Sequence, residues 1–177
     1  KSIPAKRSTS FTLYGKMQVR LFILGGQGES KTVEIRRIDH TNITAAVKLV
    51  TDVFMKFEAP DYSKEGIKSF FDTAINNQDF MNNLTIYGAY IKDLLVGVIA
   101  TRNEGNHIAL FFVDGAYHRQ GIGRKLFEVV LENSTSNKLT VNASPYAKDV
   151  YHRLGFEAAD AEQTITGIRF IPMIYTK

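Results

Sequence analysis

The apolar positions of this chain change period several times, and each change marks an element. Val33-Glu34-Ile35-Arg36-Arg37-Ile38 is rich in β-branched residues and predicts a strand. Ile43, Ala46, Val47, Val50, Val53, Phe54 and Phe57 then recur at helical spacing, behind Asp39 or Thr41 as caps and ahead of a stop at Pro60. Ser63 opens a second predicted helix through Ile67, Phe70, Phe71 and Ile75. Three strands follow: Leu84 to Ile91, Leu94 to Thr101 and His107 to Val113. The joins at Lys92-Asp93 and Asn103-Glu104-Gly105-Asn106 are short, so these strands form antiparallel hairpins. A helix over Gly121 to Leu131 leads to a strand at Leu139 to Val141, a crossover that makes the strand pair parallel if the two are neighbours. Pro145 starts a last predicted helix to Leu154. Phe156 onward and Ile168 to Tyr175 close the chain as a hairpin around Thr166-Gly167. The expected fold class is α+β, a mixed and mostly antiparallel sheet of six to seven strands flanked by helices.

Residues 1–16 are polar, basic and without periodicity, and Met17 to Leu24 is apolar enough for a short strand. The expected organisation is an N-terminal arm over 1–30, in part an appended remnant, and a single domain over 31–177. The chain has 177 residues, 44% of them hydrophobic and 23% charged, which is a globular balance. Its net charge of +4 is uneven. Residues 1–37 hold eight Lys/Arg against two acids, and the other 140 hold 14 against 16. The body is therefore slightly acidic and gives no case for nucleic-acid binding. No apolar run approaches a membrane span and no leader is visible. The absence of cysteine excludes disulfides, thiolate metal sites and a cysteine nucleophile, and it fits a reducing, cytoplasmic compartment. Four scattered histidines show no metal spacing.

Three segments carry candidate chemistry. In Val113-Asp114-Gly115-Ala116-Tyr117-His118-Arg119-Gln120-Gly121-Ile122-Gly123-Arg124-Lys125 a strand ends and glycines open a helix. Glycine lets backbone N–H groups approach an anion closely, and the helix N-terminus favours negative charge. Arg124 and Lys125 fall in the first turn, where the macrodipole disfavours cations by roughly 0.3–1 kcal/mol each. A bound phosphate would reverse that cost; without one the segment is a solvated basic loop. A dinucleotide fold is rejected because its third glycine falls at Leu126 and no acid ends a second parallel strand near 141. The second segment, Gly25 to Thr32, fails as a P-loop: Ser30 replaces the second glycine and a strand follows. The third runs from Asn142 to Phe156, with Ala147, Val150, Tyr151 and Leu154 on one helix face. On spacing alone Tyr151 is a core aromatic with its hydroxyl at the edge.

Together the first and third segments resemble the GNAT superfamily of acetyl-CoA-dependent N-acetyltransferases, over about Lys31 to Thr176. The signature [RQ]-x-x-G-x-[GA] is similar to His118-Arg119-Gln120-Gly121-Ile122-Gly123, with His in the Arg/Gln place. The run N-x-x-A…Y-x-x-x-G-F is similar to Ser144 through Phe156, with Ser144 in the Asn place. The resemblance implies a splayed parallel pair in the centre of the sheet, between His107–Val113 and Leu139–Val141. It implies that Gln120, Gly121, Ile122, Gly123 and Arg124 cradle the CoA pyrophosphate through backbone N–H groups, with His118 and Arg119 beside them. It also implies that the backbone at Phe111, Phe112 and Val113 pairs with pantetheine and polarises the thioester carbonyl, and that Ser144 and Ala147 flank that arm.

Tyr151 then matches the family's tyrosine general acid. His107 is the candidate base, because an ordinary pKa near 6.5 suits proton removal and some family members place a glutamate at that distance; it is equally a satisfied strand-edge histidine. Glu58 and Glu104 are candidates to attract a cationic amine, or else solvated surface charges. With no cysteine, an acetyl-cysteinyl intermediate is impossible, so direct transfer from acetyl-CoA to an amine in a ternary complex is expected. The acceptor class is a small-molecule or peptide amine, with no nucleic acid, membrane or metal involved and with homodimers possible through strand edges. A non-catalytic CoA-binding sensor on the same scaffold is the competing reading.

Overall fold

A computed structural model of the chain describes residues 32–177. The strand expected at Met17 to Leu24 and most of the segment Gly25 to Thr32 lie outside them. Strand β1 (Val33–Ile38) enters, and Asp39 caps a 3-10 turn by accepting from the Thr41 N–H at 2.9 Å. Helix α1 (Thr44–Phe57) buries Ala46, Val50 and Phe54, spaced four apart on one face. It stops at Glu58, before the 3-10 turn that contains Pro60.

Ser63 caps α2 (Lys64–Phe70) by accepting from the Gly66 N–H at 3.1 Å. The helix then widens into a π turn over Phe71–Ile75. That extra residue per turn lets consecutive aromatics reach one partner: Phe70 stacks on Phe54 at 3.8 Å and Phe71 meets it edge-on at 6.0 Å. A short helix α3 (Gln78–Asn82), capped by Asn77, was not evident in the apolar pattern.

Strands β2 (Thr85–Ile91), β3 (Leu94–Arg102) and β4 (His107–Val113) form the expected meander. After it come α4 (Ile122–Asn133), β5 (Lys138–Ala143), α5 (Lys148–Leu154), β6 (Glu157–Ala158), β7 (Gln163–Ile165) and β8 (Ile168–Thr176). Helix α5 begins three residues later than Pro145, because residues 145–147 form a turn. The sheet order is β1-β2-β3-β4-β5-β8-β6, with β7 paired to β8 outside that path. The closing hairpin is thus split: β7 pairs with the start of β8, and β6 with residues 173–174. Among the described residues only β4 and β5 pair in parallel, joined by the α4 crossover. The expected α+β class stands, with seven strands along the path.

Both sheet faces are covered. One core packs Ile122, Leu126 and Val130 of α4 and Tyr151 of α5 against Ile99, Ile108 and Val141. The other packs Val50 and Phe54 of α1 against Ile86, Val98, Leu110 and Phe112.

Two irregularities shape the middle of the sheet. The β3–β4 register passes from Ala100↔Leu110 to Thr101↔Ile108, so Ala109 is an extra, bulged residue. The parallel pairing of β4 with β5 stops at the same place, after His107↔Thr140 and Ile108↔Val141. Beyond Ile108 the two strands part.

The second irregularity is a backbone contact between α2 and the β7–β8 turn. A Cβ on Gly66 would overlap the Gly167 carbonyl, and one on Gly167 would lie 2.6 Å from the Gly66 nitrogen. Gly167 has φ +77°, and Ser69 Oγ meets Thr166 Oγ1 beside it at 2.9 Å. Gly66→Ala should therefore cost about 1–3 kcal/mol by overpacking, despite alanine's better helix propensity. Urea unfolding of the variant checks this, and an unchanged midpoint would refute the contact.

Candidate active site

The parted strands open a cavity of about 410 Å³ beneath α1, α2 and the β7–β8 turn. It gathers residues from distant parts of the chain: Glu58 after α1, His107 and Phe111 from β4, Ser144 after β5, and Ala147 and Tyr151 around α5.

The backbone of β4 supplies one wall. The Asp114 N–H donates to the Val96 carbonyl at 2.9 Å, which makes that pair a hydrogen-bonded one. By alternation Phe112 and Leu110 also turn their polar backbone toward β3, while Phe111 and Val113 turn theirs to the gap. Two of the three strand residues expected to meet a ligand arm thus turn their backbone to the gap. Phe112 does not: its backbone belongs to the β3 ladder, and its buried ring meets Phe70 at 6.4 Å. His118 Nε2–H donates to the Val113 carbonyl at 2.8 Å and takes up one of its acceptor sites. This histidine, standing where Arg or Gln is usual, pins the 114–118 turn to the end of β4.

Helix α4 starts at Gly121 with φ +79° and no capping side chain. Its first internal bond of this type runs from the Lys125 N–H to the Gly121 carbonyl at 3.1 Å. The N–H groups of Ile122, Gly123 and Arg124 precede that bond and have no partner within the helix. A Cβ on Gly121 would meet nothing within 4 Å, and one on Gly123 would press on the Phe111 ring at 3.3 Å. The turn can thus present backbone N–H groups to an anion at close range, beside the open edge of β4; pyrophosphate and an extended amide arm fit this pair of features. The neighbouring side chains are otherwise engaged or solvated. Gln120 donates to the Ala116 carbonyl at 3.2 Å and Arg124 to the Arg153 carbonyl at 3.3 Å, while Arg119 is exposed with φ +60°. The Ile122 side chain is buried in the core, so only its backbone can serve.

Tyr151 is 5% exposed and sits edge-on to Phe111 at 5.9 Å and Phe156 at 5.3 Å. Among the described residues no buried side-chain polar atom lacks a partner, and the Tyr151 hydroxyl makes no hydrogen bond to any of them; Tyr151 lines the cavity. Burial, and secondarily the charge of Glu58, push its pKa far above the usual 10. It stays a phenol at any working pH.

Glu58 departs most from its expected environment. It is a partly buried carboxyl, not a solvated surface charge, and the nearby Ser144 hydroxyl favours its charged form. Burial raises its pKa from 4.5 to about 7, and Ser144 offsets a little of that. Ser144 in turn accepts the Ala147 N–H at 3.2 Å, which fixes the turn before α5. Tyr62, which sequence reasoning passed over, lies on the other side of Glu58; burial first, then that carboxylate, raises its pKa. Its hydroxyl donates to the Arg169 carbonyl at 3.1 Å. No local sequence signal marks Tyr62, because its role comes from the loop that carries it under β8.

His107 is in the cavity wall, with Nδ1 2.8 Å from Thr140 Oγ1. Burial, then Arg102, lower its pKa from 6.5 to about 4, so it is neutral and a weak proton acceptor at pH 7. Glu104 is exposed in the β3–β4 turn and is not brought to the cavity.

A family profile described as "Acetyltransferase (GNAT) domain" matches residues 58–177, the span that holds the open edge, the glycine turn and the cavity. The chain belongs to the GNAT acetyltransferase family. A search among curated proteins gave no match. The solved GNAT structures it resembles are distant in sequence. A GCN5-related N-acetyltransferase from Rhodopseudomonas palustris aligns with a TM-score of 0.67 at 18% identity, covering 86% of this chain and 100% of that one. The PaiA N-acetyltransferase from Thermoplasma acidophilum, in complex with coenzyme A, aligns at 0.66 and 17%, covering 82% and 99%. An aminoglycoside 6′-N-acetyltransferase complexed with coenzyme A aligns at 0.56 and 14%, covering 81% and 96%. Such low identities establish the fold, and the family profile supplies the membership. Among the described residues no cluster of metal-ligating side chains occurs, and no helix is long and apolar enough to cross a membrane.

The raised Glu58 pKa has a thermodynamic consequence. A carboxyl whose folded pKa lies above its unfolded one binds more protons when folded, so stability falls as pH rises through the interval from about 4.5 to about 7. Glu58→Gln carries no such charge. It should flatten this part of the stability–pH profile and make the variant more stable than the parent at pH 8, by on the order of 1–3 kcal/mol. Thermal or urea unfolding at pH 5 and pH 8 measures the difference; parallel profiles for the two proteins would show that Glu58 is not desolvated.

Proposed function

We propose that this GNAT member is an N-acetyltransferase that moves acetyl from acetyl-CoA to a primary amine by direct transfer, with Glu58 as base and Tyr151 as acid. The observation that carries the reading is the convergence of Glu58, Ser144 and Tyr151 on the gap where β4 leaves β5.

Acetyl-CoA supplies an acyl group on a sulfur that can leave. The uncapped α4 turn offers N–H groups for its pyrophosphate, and the Phe111 and Val113 backbone offers an edge for its amide arm. Glu58, once ionised, takes a proton from the acceptor ammonium and leaves a neutral amine able to attack the acyl carbon. As the C–S bond breaks, Tyr151 offers its O–H to the departing sulfur. Its raised pKa keeps the hydroxyl protonated until the sulfur needs it, and the dry site strengthens the hydrogen bond it makes to the negative charge that develops there. The protonated Glu58, close enough to influence Tyr151 electrostatically, holds the proton that restores the phenol. The ammonium loses two protons in all: the one taken by Glu58 ends on sulfur, and the one shed from nitrogen as the C–N bond forms leaves to solvent, so the products are the acetamide, the free CoA thiol and one released proton, and the enzyme returns to its starting state. Glu58 is preferred to His107 as base because a carboxylate titrating near 7 is both ionised and basic at working pH, whereas a histidine titrating near 4 is a weak acceptor.

Acetyl-CoA or CoA at 100 times its Kd should stabilise the protein by about 2.7 kcal/mol, seen as a raised melting temperature. No shift at millimolar ligand would overturn the cofactor reading. Tyr151→Phe should keep that shift and lower kcat by about 10²-fold or more on any accepted amine, whereas a sensor would lose nothing measurable. The kcat/KM of the parent should rise with pH through about 7, as Glu58 ionises. Glu58→Gln should abolish that limb and His107→Ala should keep it; the reverse pattern would move the base to His107.

A further inference from the structure

The acceptor end of the cavity is polarised along its length. Among its described wall residues Glu58 is the one acid and Arg102 the one permanent cation, because His107 is held neutral. They belong to opposite ends of β4. Arg102 pairs with His107 at the first residue of the strand, while Glu58 stands with Tyr151, whose ring packs on Phe111. Four steps along the strand lead from His107 to Phe111, roughly 13 Å if fully extended and somewhat less across the Ala109 bulge. The wall between is aromatic, with Phe54, Phe70, Phe80 and Phe112. Among the described residues Arg102 has no acidic partner; the Phe80 ring lies 5.9 Å from its guanidinium carbon, and His107, its cross-strand neighbour, is neutral. An exposed guanidinium fork at the mouth of an apolar cavity, already oriented by a ring, is suited to a planar carboxylate.

We infer that the acceptor is an amine with a flat or apolar middle and a carboxylate at its far end, and that Arg102 recognises that carboxylate. This rests on the acetyltransferase reading above and names the substrate class for the same cavity. The amine lies against Glu58 and the body against the aromatic wall. Arg102 takes no part in the proton transfers, so its contribution falls on KM and not on kcat. Amines of the same shape that lack the acid leave the fork unpaired and bind less well.

The test uses the full chain with acetyl-CoA and three amines of one body: 4-(2-aminoethyl)benzoate, the neutral 4-(2-aminoethyl)benzamide, and phenethylamine. Free-thiol release gives kcat/KM for each, and calorimetry with CoA-loaded protein gives their affinities without requiring transfer. The acid should exceed the amide by about tenfold, carried by KM, which corresponds to about 1.4 kcal/mol. Arg102→Gln should bring the two within twofold, and Arg102→Lys, which keeps the charge without the fork, should leave an intermediate ratio. A ratio below fivefold in the parent, by turnover or by affinity, overturns the inference, as does a preference that survives in Arg102→Gln. Failure of the underlying activity looks different. All three amines would then go unacetylated and acetyl-CoA would leave the melting temperature unmoved, while the calorimetric ratio would still decide the role of Arg102.

Discussion

Everything in the candidate site depends on β4 and β5 being parallel neighbours that stay paired for only two residues. A strand in mid-sheet normally spends its polar backbone on both sides. Here the bulge at Ala109 bends β4 away just past Ile108, and the strand keeps its β3 ladder while its other edge is left open. Unpaired backbone groups inside a fold are costly unless something else satisfies them. This edge therefore persists only because it borders a cavity and because both flanking cores hold the two strands apart. Phe111 packs toward α4 and Tyr151, and Phe112 toward α1 and α2. The α4 turn adds a second set of unsatisfied N–H groups beside the first. A chain that leaves donors free in two adjoining places is arranged for a ligand with an anion at one end and amides in its arm.

The electrostatics follow from the same opening. Glu58 ends α1 where Pro60 forbids continuation, and the loop drops its carboxyl between Tyr62 and Ser144 at the mouth of the gap. Partial burial makes the charged form expensive and brings its titration near neutrality. The same dry surroundings hold Tyr151 as a phenol and His107 as a neutral imidazole. One physical cause, desolvation, sets three titratable groups apart: a carboxyl that titrates near neutrality, a phenol that keeps its proton and an imidazole that stays neutral.

The remaining walls are built by contacts between elements far apart in the chain. The π turn after α2 brings Phe70 and Phe71 onto Phe54, and this aromatic cluster roofs the cavity from the α1 side. The β7–β8 turn closes the end through the backbone contact of Gly167 with Gly66 and the bond of Thr166 to Ser69. The shape of this part of the cavity is therefore decided by packing among α1, α2 and the last hairpin, and not by the glycine turn or the run from Ser144 to Phe156.

Much of the fold was legible in the sequence, because periodicity, caps and short turns are local properties. The meander from β2 to β4, α1 with its Ala46, Val50 and Phe54 stripe, and the parallel pair joined by α4 all follow from such signals. The glycine turn at 121–123 and Tyr151 were legible for the same reason: a backbone that must approach an anion needs glycine at set spacings, and a helix face shows its own period. Helix α3 and the late start of α5 escaped because each depends on a cap or turn too short to leave a pattern. The sequence marked Glu58 and His107 as candidates, but the environments of Glu58, Tyr62, His107 and Arg102 were not legible. Whether a carboxyl is solvated or buried, whether a histidine is basic or neutral, and whether an arginine has a partner are set by neighbours tens of residues away. Only the folded chain, by bringing residues 58, 62, 102, 107, 144 and 151 around one gap, decided those environments.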